Sequence, residues 1–403
     1  MDYSTLFVGI DVSKLKHDIA IVNEHKKVVH KPFVISDSRQ GYQYLVNKLN
    51  WLKQTYHTQR FKIGMEATGD YWKNLYHFLK NQSPYVEVTV INPVQTRAFA
   101  KSELRRAKTD AVNAKDMARY MVEKRPAASV ARPLIYEYIK DIDTQIYAEK
   151  KQLTMSINKL RIELGKVAPE IEHATARLAG QQILALLKHY PTAESIASAS
   201  VEQLCALRYG EKQWTLPMAF IMKIKTLAEN SIAYKIGPGT GIVVQSLIRR
   251  IMGHQQEIDA LQTQMIQLHQ HIKPHKSVLA SIPGISCQTA IVLEAYIGDV
   301  KRFASAKQMV AYFGMNPTIN RSGKSIKRVS YLEKKGSGIV RHKLFMAVLT
   351  NIRHKRGPIY EYYKRLVAAG KSKLVAIGAA MRKLLVIIYT MLKNQTEFDP
   401  NKK

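Results

Sequence analysis

Two apolar β-type runs that each lead into an acid, LFVGID (Leu6 to Asp11) and FKIGMEATG (Phe61 to Gly69, carrying Glu66), constrain this chain more than any other feature. An acid costs strand stability and is rarely buried without compensation, so a strand that terminates on one implies a role for the carboxylate. Two further β-type runs, HDIAIV (His17 to Val22) and KVVHKPFVI (Lys27 to Ile35), follow the first closely enough to form a meander with it. A helical stretch, Gly41 to Gln54, leads to the second acid-bearing run. After it come a helix from about Asp70 to Asn81, the strand VEVTVIN (Val86 to Asn92) and helices beyond Pro93.

Three antiparallel strands followed by alternating helices and strands is the order of a ribonuclease H-like α/β domain. In that fold the first and fourth strands are neighbours, which predicts Asp11 beside Glu66. KRPAASVARP (Lys124 to Pro133) reads as a linker, which sets the first domain at 1–132. Beyond it helical periodicity dominates. Ile258, Leu261, Met265, Leu268 and Ile272 keep the 3- and 4-residue spacing of a heptad seam, and Ile135 to Leu164 is suited to be its antiparallel partner. The expected element is a coiled-coil arm over 133–275, with an ordinary helical hairpin as the alternative. A helical subdomain is inserted at about 166–240, and a mainly α domain covers 276–403.

The 62 Lys and Arg against 31 Asp and Glu give a net charge of +31, which matches a polyanionic partner, with nucleic acid the first candidate. Charge is densest at the end, where twenty Lys and Arg face four acids from Thr318 onward. There is no leader pattern and no apolar run of ~18 residues, so no membrane partner and a cytoplasmic location are expected. Cys205 and Cys287 are too few for a disulfide framework or a cysteine zinc site. His269, His271 and His275 read as a solvated helix face.

Three constellations carry chemistry. Asp11, Glu66 and Asp110, the last in RRAKTDAVNAKDMARY (Arg105 to Tyr120), can converge so that Mg²⁺ (or Mn²⁺) sits between carboxylates and a phosphate. Any one alone would more often be a cap or a surface acid. In FGMNPTINRSGKSIKR (Phe313 to Arg328), Ser322 lies among Arg321, Lys324, Lys327 and Arg328, where a docked phosphodiester meets a hydroxyl amid cations. A loop serine that only contacts phosphate is the commoner case. SVLASIPGISCQTAIVLEAYIG (Ser277 to Gly298) looks like a helix-hairpin-helix with Gly284 in its turn, aimed at a phosphate backbone, or else a plain helical hairpin. Arg105, Arg106, Lys108, Arg341 and Lys343 are further expected nucleic-acid contacts. Tyr360, Tyr362 and Tyr363 read as half core, half surface.

GIDVSK, MEATG, INPVQTRAFAKSELRRAKTDA, KRPAA, SIPGIS, YFGMNPTINRSGK and GAAMRKL follow one another in an order that resembles the DEDD transposases of the insertion sequence 110 family, over nearly the whole chain and in its longer branch. The resemblance implies a RuvC-like domain whose acids bind Mg²⁺, here Asp11, Glu66 and Asp110. It also implies a C-terminal domain whose serine, here Ser322, attacks DNA. Donor and target DNA, a bridge RNA, and a homo-oligomer (dimer or tetramer) in bacterial, nucleoid-associated surroundings are the implied partners and setting.

One residue departs from the pattern, since the family's fourth acid falls on Asn113. An amide oxygen can ligate Mg²⁺ but brings no charge. Asp116, one turn on, is the expected substitute, with three acids plus Asn113 or a chain that binds without cutting as alternatives. Two rival classes stand beside the transposase: a metal-dependent nuclease in which water attacks, and a non-catalytic nucleic-acid-bridging protein.

Overall fold

The expected meander forms as β1 (Thr5–Val12), β2 (Lys16–Val22) and β3 (Val28–Ser36). Then come α1 (Arg39–Thr55), β4 (Arg60–Glu66), α2 (Trp72–Lys80), β5 (Val86–Ile91), α3 (Pro93–Ser102) and α4 (Asp110–Lys124). The computed structural model describes residues 3–82, 84–102, 109–129, 133–175, 177–237, 239–272, 277–317, 332 and 336–400. The chain is mixed α/β and mostly helical, in two units, Met1–Ala131 and Arg132–Lys403.

In the first unit the sheet order is β3-β2-β1-β4-β5, antiparallel between β3, β2 and β1 and parallel between β1, β4 and β5. This is compatible with a ribonuclease H-like domain. Period-2 alternation splits the strands between two cores. Leu6, Val8 and Ile10 pack with Leu45 and Leu49 of α1 and Leu75 of α2, whereas Phe7 and Ile91 pack with Met117, Ala118 and Met121 of α4. Each fully buried aliphatic side chain contributes about 1.5–3 kcal/mol.

The second unit is organised by a long helix pair, α5 (Leu134–Val167) and, after α6 to α10, α11 (Ile242–Ile272). Buried or half-buried side chains recur every seventh residue on both: Ile139, Ile146, Leu153 and Leu160 on α5, and Val244, Ile251, Ile258 and Met265 on α11. His254 and Glu149 meet at 2.7 Å between them. The late α5 residues Leu160 and Leu164 share a core with Val244 and Ile251 early in α11, and the early Ile139 and Ile146 share one with Ile258 and Met265 later in it, so the pair runs antiparallel. Between the two lie α6 (Glu170–Ala174), α7 (Gln181–His189), α8 (Ala193–Ser198), α9 (Val201–Ala206), the two-residue strands β6 (Arg208–Tyr209) and β7 (Trp214–Thr215), and α10 (Met218–Glu229). The motif HYPTAESIASAS supplies two capping boxes, with Thr192 starting α8 and Ser200 starting α9.

After α11 come a 3-10 turn (Val278–Ser281), α12 (Cys287–Ile297), a 3-10 turn (Val300–Arg302), α13 (Ala306–Tyr312), α14 (Gly338–His354), α15 (Gly357–Ala368) and α16 (Lys373–Asn394). Three expectations change here. The first limb of the anticipated helix-hairpin-helix is the single 3-10 turn, because Pro283 disfavours helical backbone just before it and leaves no room for a longer helix. His269 is not on a solvated face: it is 3% exposed and lies 3.0 Å from Glu294 Oε2, while Ser277 Oγ donates to Glu294 Oε1 at 2.6 Å. α16 is long and apolar enough, by length and composition, to cross a bilayer, although Arg382 and Lys383 interrupt its sequence. Its Ala380, Leu384, Leu385 and Ile388 are fully buried in the core of this part of the chain. Tyr362 and Tyr363 are half-buried against the same core, as expected.

Candidate active site

β1 and β4 are parallel with Ile10 opposite Met65, so the next residues along, Asp11 and Glu66, stand side by side at the strands' C-terminal ends. By alternation Phe7, Gly9 and Asp11 share one face with Gly64 and Glu66, the face that α4 covers. The close approach of α4 depends on Gly9 and Gly64, which are opposite each other in register. A Cβ on Gly9 would stand 2.0 Å from the Ala114 carbonyl oxygen, and one on Gly64 would meet Met121 Cγ at 2.6 Å.

α4 then lays its polar residues beside the strand ends. Thr109 caps it by accepting from the Val112 N–H, which puts Asp110 in the first turn, where the helix dipole favours a carboxylate. Asn113, one turn on, donates from Nδ2 to Asp11 Oδ2 at 2.9 Å. Asp116 is buried a further turn along, with Arg119 Nη1 3.9 Å from its carboxylate. Asn113 is thus the α4 side chain bonded to Asp11. Glu66 accepts from Thr68 Oγ1 at 2.8 Å and from Thr96 Oγ1 of α3 at 2.7 Å, which fixes both of its oxygens. Asp110 is largely exposed and has Lys16 Nζ at 3.8 Å.

The sequence reading missed Asp18, which lies directly opposite Asp11 on β2 and is 9% exposed. Opposed cross-strand residues project to the same face, so Asp18 adds a fourth carboxylate to the neighbourhood. An acid inside the apolar run HDIAIV was the available signal. Burial pushes the Asp11 carboxyl above the ordinary carboxylate range; the Asn113 N–H opposes this, and the charges of Asp110, Glu66 and Asp18 add to it. Asp18 is raised as well, by burial first, with Lys16 opposing.

These are oxygen donors, the kind a small hard dication takes, and a half-buried Asp11 crowded by like charges is chemically suited to one. Among the described residues, no three His, Cys, Asp or Glu side chains lie close enough together to hold an ion. The donor set fits a dication in kind without yet being gathered around a point.

The second constellation lies outside the described residues: Ser322, Arg321, Lys324, Lys327 and Arg328, as do Arg105, Arg106 and Lys108. The residues flanking the serine segment are anchored. Pro317 and Leu332 form an antiparallel bridge, and Arg341 donates from Nη1 to the carbonyls of Phe313 at 3.3 Å and Gly336 at 3.0 Å. Lys343 reaches buried Asp143 of α5 at 2.7 Å. Gly284 has φ +83°, and a Cβ there would meet the Ala347 carbonyl oxygen and Asn351 Nδ2, each at 2.7 Å. The three expected nucleic-acid contacts that can be placed therefore all make internal contacts with other parts of the second unit.

A model of IS110-type DEDD transposases, described as "Transposase", matches residues 8–169, and a second, described as "Transposase IS116/IS110/IS902 family", matches residues 276–364. The chain belongs to the IS110 family of transposases. The first match contains Asp11, Glu66, Asp110 and Asn113, and the second contains Ser322. This transposase is 25% identical over 398 residues to the pilin gene-inverting protein of Moraxella lacunata, covering 98% of each chain. It is 27% identical over 303 residues to the insertion element IS110 uncharacterized 43.6 kDa protein of Streptomyces coelicolor, covering 73% of this chain and 72% of that one. Membership implies DNA as substrate and a general requirement for a divalent metal.

Proposed function

We propose that this transposase cuts and rejoins DNA through attack by Ser322 on a phosphodiester, assisted by the acids of its RuvC-like first domain. The observation that supports this reading is the side-by-side seating of Asp11 and Glu66 at parallel strand ends, with Asn113 of α4 on Asp11. Asp11, Glu66 and Asp110, with the Asn113 amide oxygen, would hold Mg²⁺ or Mn²⁺ once Asp110 leaves Lys16. A bound dication neutralises phosphate charge and favours deprotonation of an attacking hydroxyl. Ser322 Oγ loses its proton, bonds to phosphorus and displaces one bridging oxygen, which takes up a proton. The phosphoserine link conserves the phosphodiester energy. A hydroxyl of the incoming strand then reverses the step and frees the serine.

The domain scheme supporting this is 1–132 for the acids, a coiled-coil arm over 133–275 with its insertion at about 166–240, and 276–403 for the serine. The heptad spacing on α5 and α11 supports the arm. Target choice by a bridge RNA, a homo-oligomer and a cytoplasmic, nucleoid-associated setting complete the proposal. The net charge of +31 is in keeping with holding RNA and duplex backbones together.

The test incubates the full-length protein with Mg²⁺, the element's flanking RNA and labelled donor and target DNA, followed by a denaturing gel. A protein-linked DNA band is expected that disappears in EDTA, in Ser322→Ala and in Asp11→Ala. Cleavage without a linked band would support a metal-dependent nuclease, and salt-sensitive binding without cleavage would support a bridging protein.

A further inference from the structure

On the side of the sheet away from α4, β3 and α1 expose a row of rings that the acid site does not use. α1 turns Leu45, Leu49 and Leu52 into the core and presents Tyr44, Lys48 and Trp51 outward. Tyr44 is 50% exposed and Trp51 47%. Phe33 and His30 of β3 continue the row: Tyr44 and Phe33 have centroids 5.9 Å apart, Phe33 and His30 5.5 Å, and His30 and Trp51 6.1 Å. Lys48 Nζ sits between the two outer rings, 5.9 Å from Tyr44 and 5.1 Å from Trp51. Large aromatics exposed singly need no explanation, but a contiguous row around a cation marks a binding surface.

We infer that this row is a stacking platform for unpaired bases of a single-stranded nucleic acid. Charge favours that occupant: β3 and α1 together carry Lys31, Arg39, Lys48 and Lys53 and no acid. Ring faces accept any base while Lys48, standing between the rings, meets the backbone, the combination that sequence-tolerant single-strand binders use. A second copy of the chain would bring its own Lys48 against this one, with no acid on β3 or α1 to offset the repulsion. An added strand is disfavoured as well, because β3 is the sheet edge and carries Pro32. The inference extends the nucleic-acid reading above but uses neither the acids nor Ser322.

The chain has three tryptophans, so Trp72→Phe with Trp214→Phe leaves Trp51 as the sole reporter in the full-length protein. Short oligouridylate, oligothymidylate and a duplex are titrated against its fluorescence, and affinities are measured by anisotropy. Both single strands are expected to quench Trp51. Trp51→Ala should weaken single-strand binding by about ten-fold or more, with Trp51→Phe restoring most of it and duplex binding unchanged. Preference between the two oligonucleotides identifies RNA or DNA as the natural source. Unquenched Trp51 with unchanged affinity in Trp51→Ala, at an unchanged melting temperature, would overturn the inference. So would a change in sedimentation in place of a change in oligonucleotide binding, which would assign the row to self-contact. Asp11→Ala should retain the quench, so a lost adduct with quenching intact counts against the catalytic proposal alone. An intact adduct without quenching counts against the platform alone.

Discussion

Replacing Asn113 by Asp restores the family's fourth acid, and its cost without metal follows from the geometry. The change removes an N–H donor 2.9 Å from Asp11 Oδ2 and puts a carboxylate in its place. At that separation and an effective dielectric of about 20, two like charges repel by about 6 kcal/mol. The pair never reaches that figure, because holding one proton at pH 7 costs only about 4 kcal/mol for a carboxyl of ordinary pKa. Both residues are half-buried, and water screens part of the remainder, which leaves about 2–3 kcal/mol. In EDTA at neutral pH, Asn113→Asp should therefore melt roughly 5–12 °C below the parent. Asp11 is already raised by burial and neighbouring charge, so the folded site favours the protonated form. Stability is retained below the ordinary carboxylate range and lost as pH rises through the raised value, and the variant's deficit should widen from acid to neutral pH. Saturating Mg²⁺ should reverse the order, because an anionic oxygen ligand binds the cation more tightly than an amide and metal binding stabilises the fold by mass action. Thermal melts across pH, with EDTA and with Mg²⁺, measure all of this. Equal melting in EDTA, together with a Mg²⁺ shift no larger than the parent's, would refute the placement of Asn113 against Asp11.

Gly9→Ala should cost about 3 kcal/mol or more and weaken Mg²⁺ stabilisation, because its Cβ meets the fixed backbone of α4, whereas Gly64→Ala should cost about 1 kcal/mol, since Met121 is flexible; denaturant melts separate the two. Lys343→Met should destabilise by about 2–3 kcal/mol by leaving buried Asp143 without its amine, and Asp143→Leu in the same chain should recover a large part of that. A double-mutant cycle with no coupling would mean that the pair contributes nothing. Asp18→Asn should raise the melting temperature in EDTA by relieving charge around Asp11, which a calorimetric scan checks.

Strand order was legible because runs such as LFVGID and FKIGMEATG combine β-type composition with an acid at a meaningful place, and the neighbouring of Asp11 and Glu66 followed from that order. The seventh-residue repeat was legible on α11, and α5 carries the matching one. Asp18 escaped because its significance lies in register: only when Asp11 and Asp18 are paired across β1 and β2 does a strand acid become a neighbour of the site. Gly9 and Gly64 escaped for the same reason, since a glycine that admits a helix looks like any other until the helix is in place. His269 misled because a histidine on a polar helix reads as solvated, and its partner Glu294, itself held by Ser277, arrives from an element 25 residues away. Arg341 and Lys343 illustrate the same limit: composition does not show that one also bonds to backbone carbonyls and the other to Asp143.

The most direct measurement traps the protein–DNA adduct formed in Mg²⁺, trims its DNA with nuclease and maps the modified peptide by mass spectrometry. The account predicts a nucleotide on Ser322, and no modified peptide from Asp11→Ala protein. A nucleotide on another residue, or cut DNA with no modified peptide at all, would contradict serine attack assisted by the acids of the first domain.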